Sequence, residues 1–397
     1  MKVLKPFYYD DFKCIANDCI DSCCIGWQIN IDENTYKKYK KVKGVFGKEL
    51  NNGINRIRSK SNKLEYGKMK LKDKRCYMLN EDNLCNVYIN LGESYLCNTC
   101  KMYPRDINKY GEIYERNLYM SCPEVARYFF KHKGDFYFNM DEEELSDLDK
   151  DYIMNKIYDE KLYNFLWDAR SLAMEIIQFK EIEIWKRIIF LKILTDKVQK
   201  LIDEENYENY EKVLNAFRDE ITKIDVINSL DKITLVSNVK INFIKAVVDV
   251  SEKVAIDKIK YINLLEEYKK LFKSDNENNF NNIIKEEDKF NKYLKEKENI
   301  IENLLIYLIY KHFMNALYTK DLNEEINNII ISYAMIKMLL LGRWYKNNKS
   351  LSEEDFVEVF YVFSRVIEHN KMFLNKIYEG VKEVGYDKIA YITILVH

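Results

Sequence analysis

Every cysteine in this chain falls between residues 14 and 122: Cys14, Cys19, Cys23, Cys24, Cys76, Cys85, Cys97, Cys100 and Cys122. The 275 residues that follow contain none. A core that uses cysteine as a small hydrophobe scatters it, so this confinement marks a dedicated site. The first group reads Cys14-x4-Cys19-x3-Cys23–Cys24. Positions three and four apart can share a helical face, but adjacent Cys23 and Cys24 cannot. The backbone must turn there, and Gly26 permits it. In the second group Cys76 and Cys85 flank Asn80–Glu81–Asp82–Asn83, a turn composition. Cys97-x2-Cys100 follows. Cys122 then precedes Pro123, which suits the first turn of a helix.

The segment Met1–Pro6 lacks the apolar run of a signal peptide. No uninterrupted apolar stretch approaches the ~20 residues that a bilayer requires; the longest is Leu304–Tyr310. A cytoplasmic protein without a membrane span is therefore expected. In a reducing compartment, clustered cysteines are metal ligands more often than disulfides, and an odd number argues against a complete disulfide framework. Soft thiolates select zinc or iron–sulfur clusters. The Cys97–Cys100 spacing fits a zinc knuckle, while the other gaps match no zinc template cleanly. The residues alone leave iron–sulfur, zinc and redox thiols open, with one metal centre or two.

The rest of the chain has a different texture. No glycine lies between Gly134 and Gly342, and no proline follows Pro123. Amphipathic or apolar segments succeed one another at helical spacing over 162–179, 184–202, 300–317 and 326–341. Polar tracts over 203–211 and 273–285 read as connections, and the acidic 141–151 tract as a boundary. The fold class that follows is mainly α. A small, loop-rich, cysteine-bearing metal-binding domain over residues 1–134 is expected to pack on a larger all-helical domain over 135–397. Residues 1–134 hold 25 Lys and Arg against 16 Asp and Glu, and the remainder holds 38 against 48. The ordinary reading is that the two parts attract each other; the sharper one gives the basic part an anionic ligand and the acidic part a cationic one. No nucleic-acid partner is expected.

Within the basic part, Asp32 is a natural cap for a helix carrying Tyr36, Tyr39 and Val42. The lysine alternation over 68–72 reads as a solvated edge strand, with an anion-binding rim as the alternative. Near the other end, Ser352 and Asp355 make a capping pair for a helix predicted to run to Asn370. On it Arg365 and His369 are four apart and share a face, with Glu368 adjacent.

Together these residues resemble the flagellin lysine-N-methylase family. The resemblance rests on Phe12-x-Cys14-x4-Cys19-x3-Cys23–Cys24-x-Gly26–Trp27, and on Cys76 and Cys85 around their short acidic turn. It rests also on Thr99–Cys100-x2-Tyr103–Pro104–Arg105 and on Ser121–Cys122–Pro123–Glu124, with Ser364–Arg365-x2-Glu368–His369–Asn370 in the final helix. It covers about the first 125 residues specifically and the remainder weakly. The cysteine pattern is also similar to that of smaller zinc- or iron-chelating modules.

The resemblance implies a protein lysine N-methyltransferase that methylates lysine ε-amines of flagellin, or of another lysine-rich protein, with S-adenosylmethionine and a 4Fe–4S cluster. It implies Cys14, Cys19, Cys23, Cys24, Cys76, Cys85, Cys100 and Cys122 as ligands. Cys97 stands outside the family pattern and is set aside as a bystander. Glu368 and His369 are the candidates for base or substrate positioning, and Arg365 for binding the donor's carboxylate. No Gly-rich strand–turn that would hold a nucleoside is present, so the donor site is not assigned. The alternative is a non-enzymatic zinc- or iron-binding module joined to a helical interaction domain.

Overall fold

Strand β1 (Lys2–Pro6) lies inside a sheet, between two strands that come more than a hundred residues later. The computed structural model describes residues 1–58, 62–153, 156–232, 248–252, 258–272, 277–367, 374, 376–379 and 396. The chain divides into two units: Met1–Val125 with Phe138–Asn155, and Ala126–Tyr137 with Lys156–His397. It therefore passes between units more than once, where the sequence predicts a single boundary after residue 134.

In the first unit the remaining strands are β2 (Asn30–Ile31), β3 (Ile54–Arg56), β4 (Gly67–Met69), β5 (Leu71–Lys72), β6 (Arg75–Cys76), β7 (Arg105–Tyr110), β8 (Ile113–Leu118) and β9 (Phe138–Glu142). The helices are α1 (Glu33–Lys40), α2 (Gly44–Asn52), α3 (Asn86–Leu91), α4 (Asn98–Met102) and α6 (Asp147–Tyr152), while α5 (Pro123–Lys131) starts here and continues in the second unit. The main sheet has the order β7-β8-β1-β9. β7 and β8 form a hairpin paired Tyr110 to Ile113, and its two-residue turn needs the positive φ of Gly111. β1 runs parallel to β8, with Val3 opposite Tyr114, and antiparallel to β9, with Leu4 opposite Met140. Val3, Met102, Ile107 and Leu145 are buried in one cluster. Buried Lys5 is neutralised by Asp10, Asp141 and Glu143 at 2.6–2.9 Å.

A second sheet, ordered β2-β4-β3, backs the other cluster of this unit. Ile29, Ile31, Tyr39, Leu50, Ile54, Met69, Met78 and Val87 are buried there. The lysine-alternating strand is thus split: β4 is a central strand, paired on both sides, and only β5 lies in a two-stranded ribbon. The expected edge strand is corrected to that extent. Gly67 explains the placement, because a Cβ there would stand 2.4 Å from the Tyr36 ring.

The second unit is helical. Its main helices are α7 (Glu160–Gln178), α8 (Ile184–Asp203), α9 (Tyr210–Ile221), α10 (Ile224–Leu230), α11 (Ile259–Lys269), α12 (Glu277–Lys295), α13 (Glu298–His312), α14 (Ala316–Thr319), α15 (Leu322–Lys346) and α16 (Glu353–Ile367). The apolar segments become α7, α8, α13 and α15, as their periodicity predicts. The tract predicted as a connection over 273–285 does not: most of it is α12. Ile283, Phe290 and Leu294 are buried, and their spacing of seven and four puts them on one helical face. The polar residues between them hide that stripe from composition.

Helix α15 is the centre of the unit, buried nearly all round. By length and composition it could cross a membrane, but 89% of its most apolar window is buried inside the protein. A close crossing with α11 is set by Gly342, where a Cβ would meet the Tyr268 backbone nitrogen at 2.6 Å. Arg343 ties three helices by contacting Glu267 at 2.6 Å, Glu358 at 2.7 Å and Asp355 at 3.1 Å. Arg187 is 1% exposed and fully occupied. It meets Glu302 at 3.0 Å and Glu298 at 2.5 Å, and donates to the carbonyls of Ile182 and Ile177. Such satisfaction is what makes a buried charge tolerable.

Candidate functional site

None of the nine cysteines is in a disulfide, and all nine lie in the first unit. Cys14 and Cys23 are exposed, Cys19, Cys24, Cys85 and Cys100 half-buried, and Cys76, Cys97 and Cys122 buried. Cys19 ends a single 3-10 turn, Ala16–Asp18. The Cys23–Cys24 corner is held by three bonds. The Trp27 indole donates to the Cys23 carbonyl at 2.6 Å, the Ser22 hydroxyl accepts from the Cys24 N–H at 3.2 Å, and the Cys24 carbonyl accepts from the Cys76 N–H at 2.8 Å. Gly26 turns the chain with φ +90°, the role expected for it.

Cys85 and Cys97 occupy the N-cap positions of α3 and α4, without a side-chain capping hydrogen bond. The Cys97 turn is fixed from outside. Asp32 caps α1 by accepting from the Thr35 N–H at 2.8 Å, and its second oxygen accepts from the Asn98 N–H at 3.0 Å. The Thr99 hydroxyl donates to the Asn30 carbonyl at 2.9 Å. Cys24, Cys76, Cys85, Cys97 and Cys100 all border the same apolar cluster.

The electrostatics follow from this crowding. Burial pushes the Cys76 thiol up to about 11, against a Met78 N–H that favours the thiolate, with Cys85, Cys97 and Cys23 raising it further. Burial likewise raises Cys85, although the Tyr88 and Val87 N–H groups point at its sulfur. Burial raises Cys122 to about 12, against the Val125 and Glu124 N–H groups, with Cys19 and Cys23 raising it further. Cys24 is raised by its hydrogen bond to Cys23 and by burial. The Cys97 and Cys100 sulfurs lie 3.5 Å apart. The hydrogen bond between them holds Cys97 below the usual thiol value, and that bond together with burial holds Cys100 above it. Cys97 is thus 0% exposed and bonded to another cysteine, where the sequence reading sets it aside.

Among the described residues, no group of three or more His, Cys, Asp or Glu side chains is placed to hold a metal ion. The donor chemistry nevertheless suits a thiophilic metal. Burial and the neighbouring cysteines both oppose ionisation of Cys76, Cys85 and Cys122. A cation among them would relieve that opposition.

In the helical unit, Arg365 lies on α16, half-buried, with its guanidinium 4.9 Å from the Tyr361 ring centre. The expected Ser352–Asp355 capping pair is present, Asp355 N–H to Ser352 Oγ at 3.2 Å and Ser352 N–H to Asp355 Oδ2 at 2.8 Å. Glu368 and His369 lie outside the described residues.

The family model described as the FliB lysine N-methylase C-terminal domain matches residues 170–395, more than half of the chain. The chain belongs to the FliB lysine N-methylase family. Among curated relatives, the flagellar biosynthetic protein FliU of Salmonella muenchen is 35% identical over 126 residues, covering 31% of this chain and 74% of that protein. The lysine-N-methylases of Salmonella choleraesuis and Salmonella typhimurium are each 34% identical over 126 residues, 31% of this chain and 31% of theirs. The aligned stretch thus spans under a third of those two FliB-type enzymes. No solved structure matches.

Proposed function

We propose that this chain is a protein lysine N-methyltransferase acting on a flagellar protein, with S-adenosylmethionine as methyl donor and an iron–sulfur centre in the cysteine-rich unit. The observation that carries the reading is the family match over residues 170–395. The flagellar substrate is supported by the name of the FliU relative. The metal is supported by the confinement of nine cysteines, none in a disulfide, to the first unit.

A lysine amine, with an ordinary pKa of about 10.4, must lose its proton before it can attack a methyl group. That requires a base or a desolvating site. Glu368 and His369 are the groups proposed to accept the proton or to hold the amine. Arg365 is proposed to bind the donor's carboxylate, since a guanidinium suits planar bidentate recognition. Cys14, Cys19, Cys23, Cys24, Cys76, Cys85, Cys100 and Cys122 are the residues from which the cluster ligands would come. A cluster bound there would supply an iron able to chelate the donor. The protein's own part is to hold thiolates close together and shield most of them from solvent.

Two measurements test this. Mass spectrometry of flagellin from cells with and without the protein should show methylated lysines only in its presence. Identical spectra would remove flagellin as substrate. Iron, sulfide and zinc analysis of protein purified without oxygen should find iron and sulfide; a colourless, zinc-only protein would refute the cluster.

A further inference from the structure

We infer that a cavity in the helical unit, lined by the start of α7 and the loop from α8 to α9, receives the alkylammonium side chain of a lysine presented by the protein substrate. The methyltransferase reading above supplies only the identity of the occupant; the preference for a cation rests on the cavity itself.

The cavity has a volume of about 620 Å³, within the range of ~300–1,000 Å³ usual for small-ligand sites. Tyr207 and Tyr210 give it two aromatic walls. Both are half-buried, and fully buried Phe165 backs them, with ring centres 6.0 and 5.0 Å away. The Tyr210 hydroxyl is fixed by donating to Asp168 at 2.9 Å. The Tyr207 hydroxyl is shut off from solvent and has no hydrogen-bond partner, so an ammonium group drawn into the cavity can satisfy it by donating to it. The loop between the helices is shaped in advance. Glu205 and Asn209 have φ of +48° and +66°, and the N–H groups of Glu205 and Asn206 donate back to the Ile202 and Leu201 carbonyls at 3.0 Å.

The charge of the lining gives the sign of the ligand. Three exposed carboxylates, Glu204, Glu205 and Glu208, stand against one ammonium, Lys161. Lys320 answers Glu205 at 3.1 Å and Lys200 answers Glu204 at 3.9 Å. Glu208 has no ion-pair partner among the described residues. Helix ends act in the same direction. The C-terminal end of α8, at Glu204, carries partial negative charge. The start of α7 is already met by Asp159, which accepts from the Lys161 and Leu162 N–H groups, and Glu211 stands in the first turn of α9. Aromatic faces beside an unanswered carboxylate hold a cation. A lysine fits this combination, with its apolar stem laid on the rings and its charged head at the rim. The acidic excess over residues 135–397, 48 against 38, attracts the same sign of ligand from solution.

The test uses the full chain and ligand-observed NMR with three probes. They are Nα-acetyl-lysine methylamide, its norleucine counterpart, which keeps the stem and lacks the ammonium, and free 1,5-diaminopentane. The lysine compound should bind, and the norleucine compound should bind at least about tenfold more weakly, as expected for the loss of a charged hydrogen-bonding group. Glu208→Gln should weaken binding of the lysine compound about two- to fivefold, and Tyr207→Leu should do so by a similar factor. Lys161→Ala should strengthen it, because it removes the one like charge of the lining. Glu208 and Lys161 are exposed, so neither change endangers the fold. Equal binding of the lysine and norleucine compounds, or tighter binding in E208Q, would overturn the inference. Tighter binding of diaminopentane than of the lysine compound would overturn the assignment to a protein substrate in favour of a free polyamine. Absence of all binding would overturn the site and leave the methyltransferase reading to its own test, the appearance of methylated lysines in flagellin.

Discussion

Asp32 joins two turns that are far apart in sequence: one carboxylate oxygen caps α1, and the other accepts from the backbone N–H of Asn98 at 3.0 Å. A single buried side chain therefore fixes both a helix start and the Cys97–Cys100 turn. An N-cap bond contributes about 1 kcal/mol, and a hydrogen bond to a charged group about 1.5–3 kcal/mol. Asp32→Ala should lower stability by about 2–4 kcal/mol in urea unfolding. It should also weaken metal retention without removing a thiol. Unchanged retention would mean that the turn holds its shape by other means.

The Arg187–Glu302 pair sits in the helical core with both partners almost fully buried. Removing one partner leaves a buried charge uncompensated, which costs about 3–5 kcal/mol. Arg187→Met alone should therefore destabilise the protein by that amount. The double variant Arg187→Met/Glu302→Leu should recover part of the loss. A double-mutant cycle in denaturant measures the coupling, and strict additivity would contradict the buried-pair account.

Gly342→Ala is a second stability probe. An exposed helical glycine would gain about 1 kcal/mol on becoming alanine. Here the new methyl meets the Tyr268 backbone, and neither helix can yield without repacking. The expected outcome is a net loss of about 1–3 kcal/mol, seen as a lower melting temperature. A rise in melting temperature would show that α11 and α15 separate easily.

Acid should act on the first unit through Asp149. Burial alone would raise its pKa, but the Ser146 hydroxyl and Arg116 outweigh that and hold it below the usual value. Arg116 reaches it at 3.0 Å, and Ser146 completes a capping box with it. For a depressed carboxyl, the stabilisation is full above the unfolded value near 3.9 and is lost as pH falls through the folded value. Metal-free protein should lose thermal stability as pH drops below about 4, and Asp149→Asn should flatten that slope. Parallel slopes would assign the acid sensitivity to other groups.

Much of the architecture was legible because it is local. The Asp32 cap, the Ser352–Asp355 pair, Pro123 at a helix start and the periodic segments of α7, α8 and α15 each declare themselves within a few residues. What was hidden is non-local or diluted. Nothing near Lys2–Pro6 announces a parallel partner at Ile113–Leu118, and the stripe of Ile283, Phe290 and Leu294 is masked by polar neighbours. For the site, the cysteine segment was plain from confinement alone. Cys97 was set aside because the family pattern does not require it; its full burial and its contact with Cys100 were not legible in the sequence. The positions of Glu368 and His369 remain a sequence expectation outside the described residues.

The return of β9 to β1 bears on the order in which the protein is made. β1 is synthesised more than a hundred residues before its partners, and its outer edge stays unpaired until Phe138–Glu142 emerges. By then residues 126–137, which belong to the other unit, have already been synthesised. Through that interval the nascent chain carries an open strand edge, the kind of surface that invites mispairing, alongside nine reduced thiols. A shortened chain ending near residue 134 would keep that edge permanently, whereas one extended through residue 155 would close it.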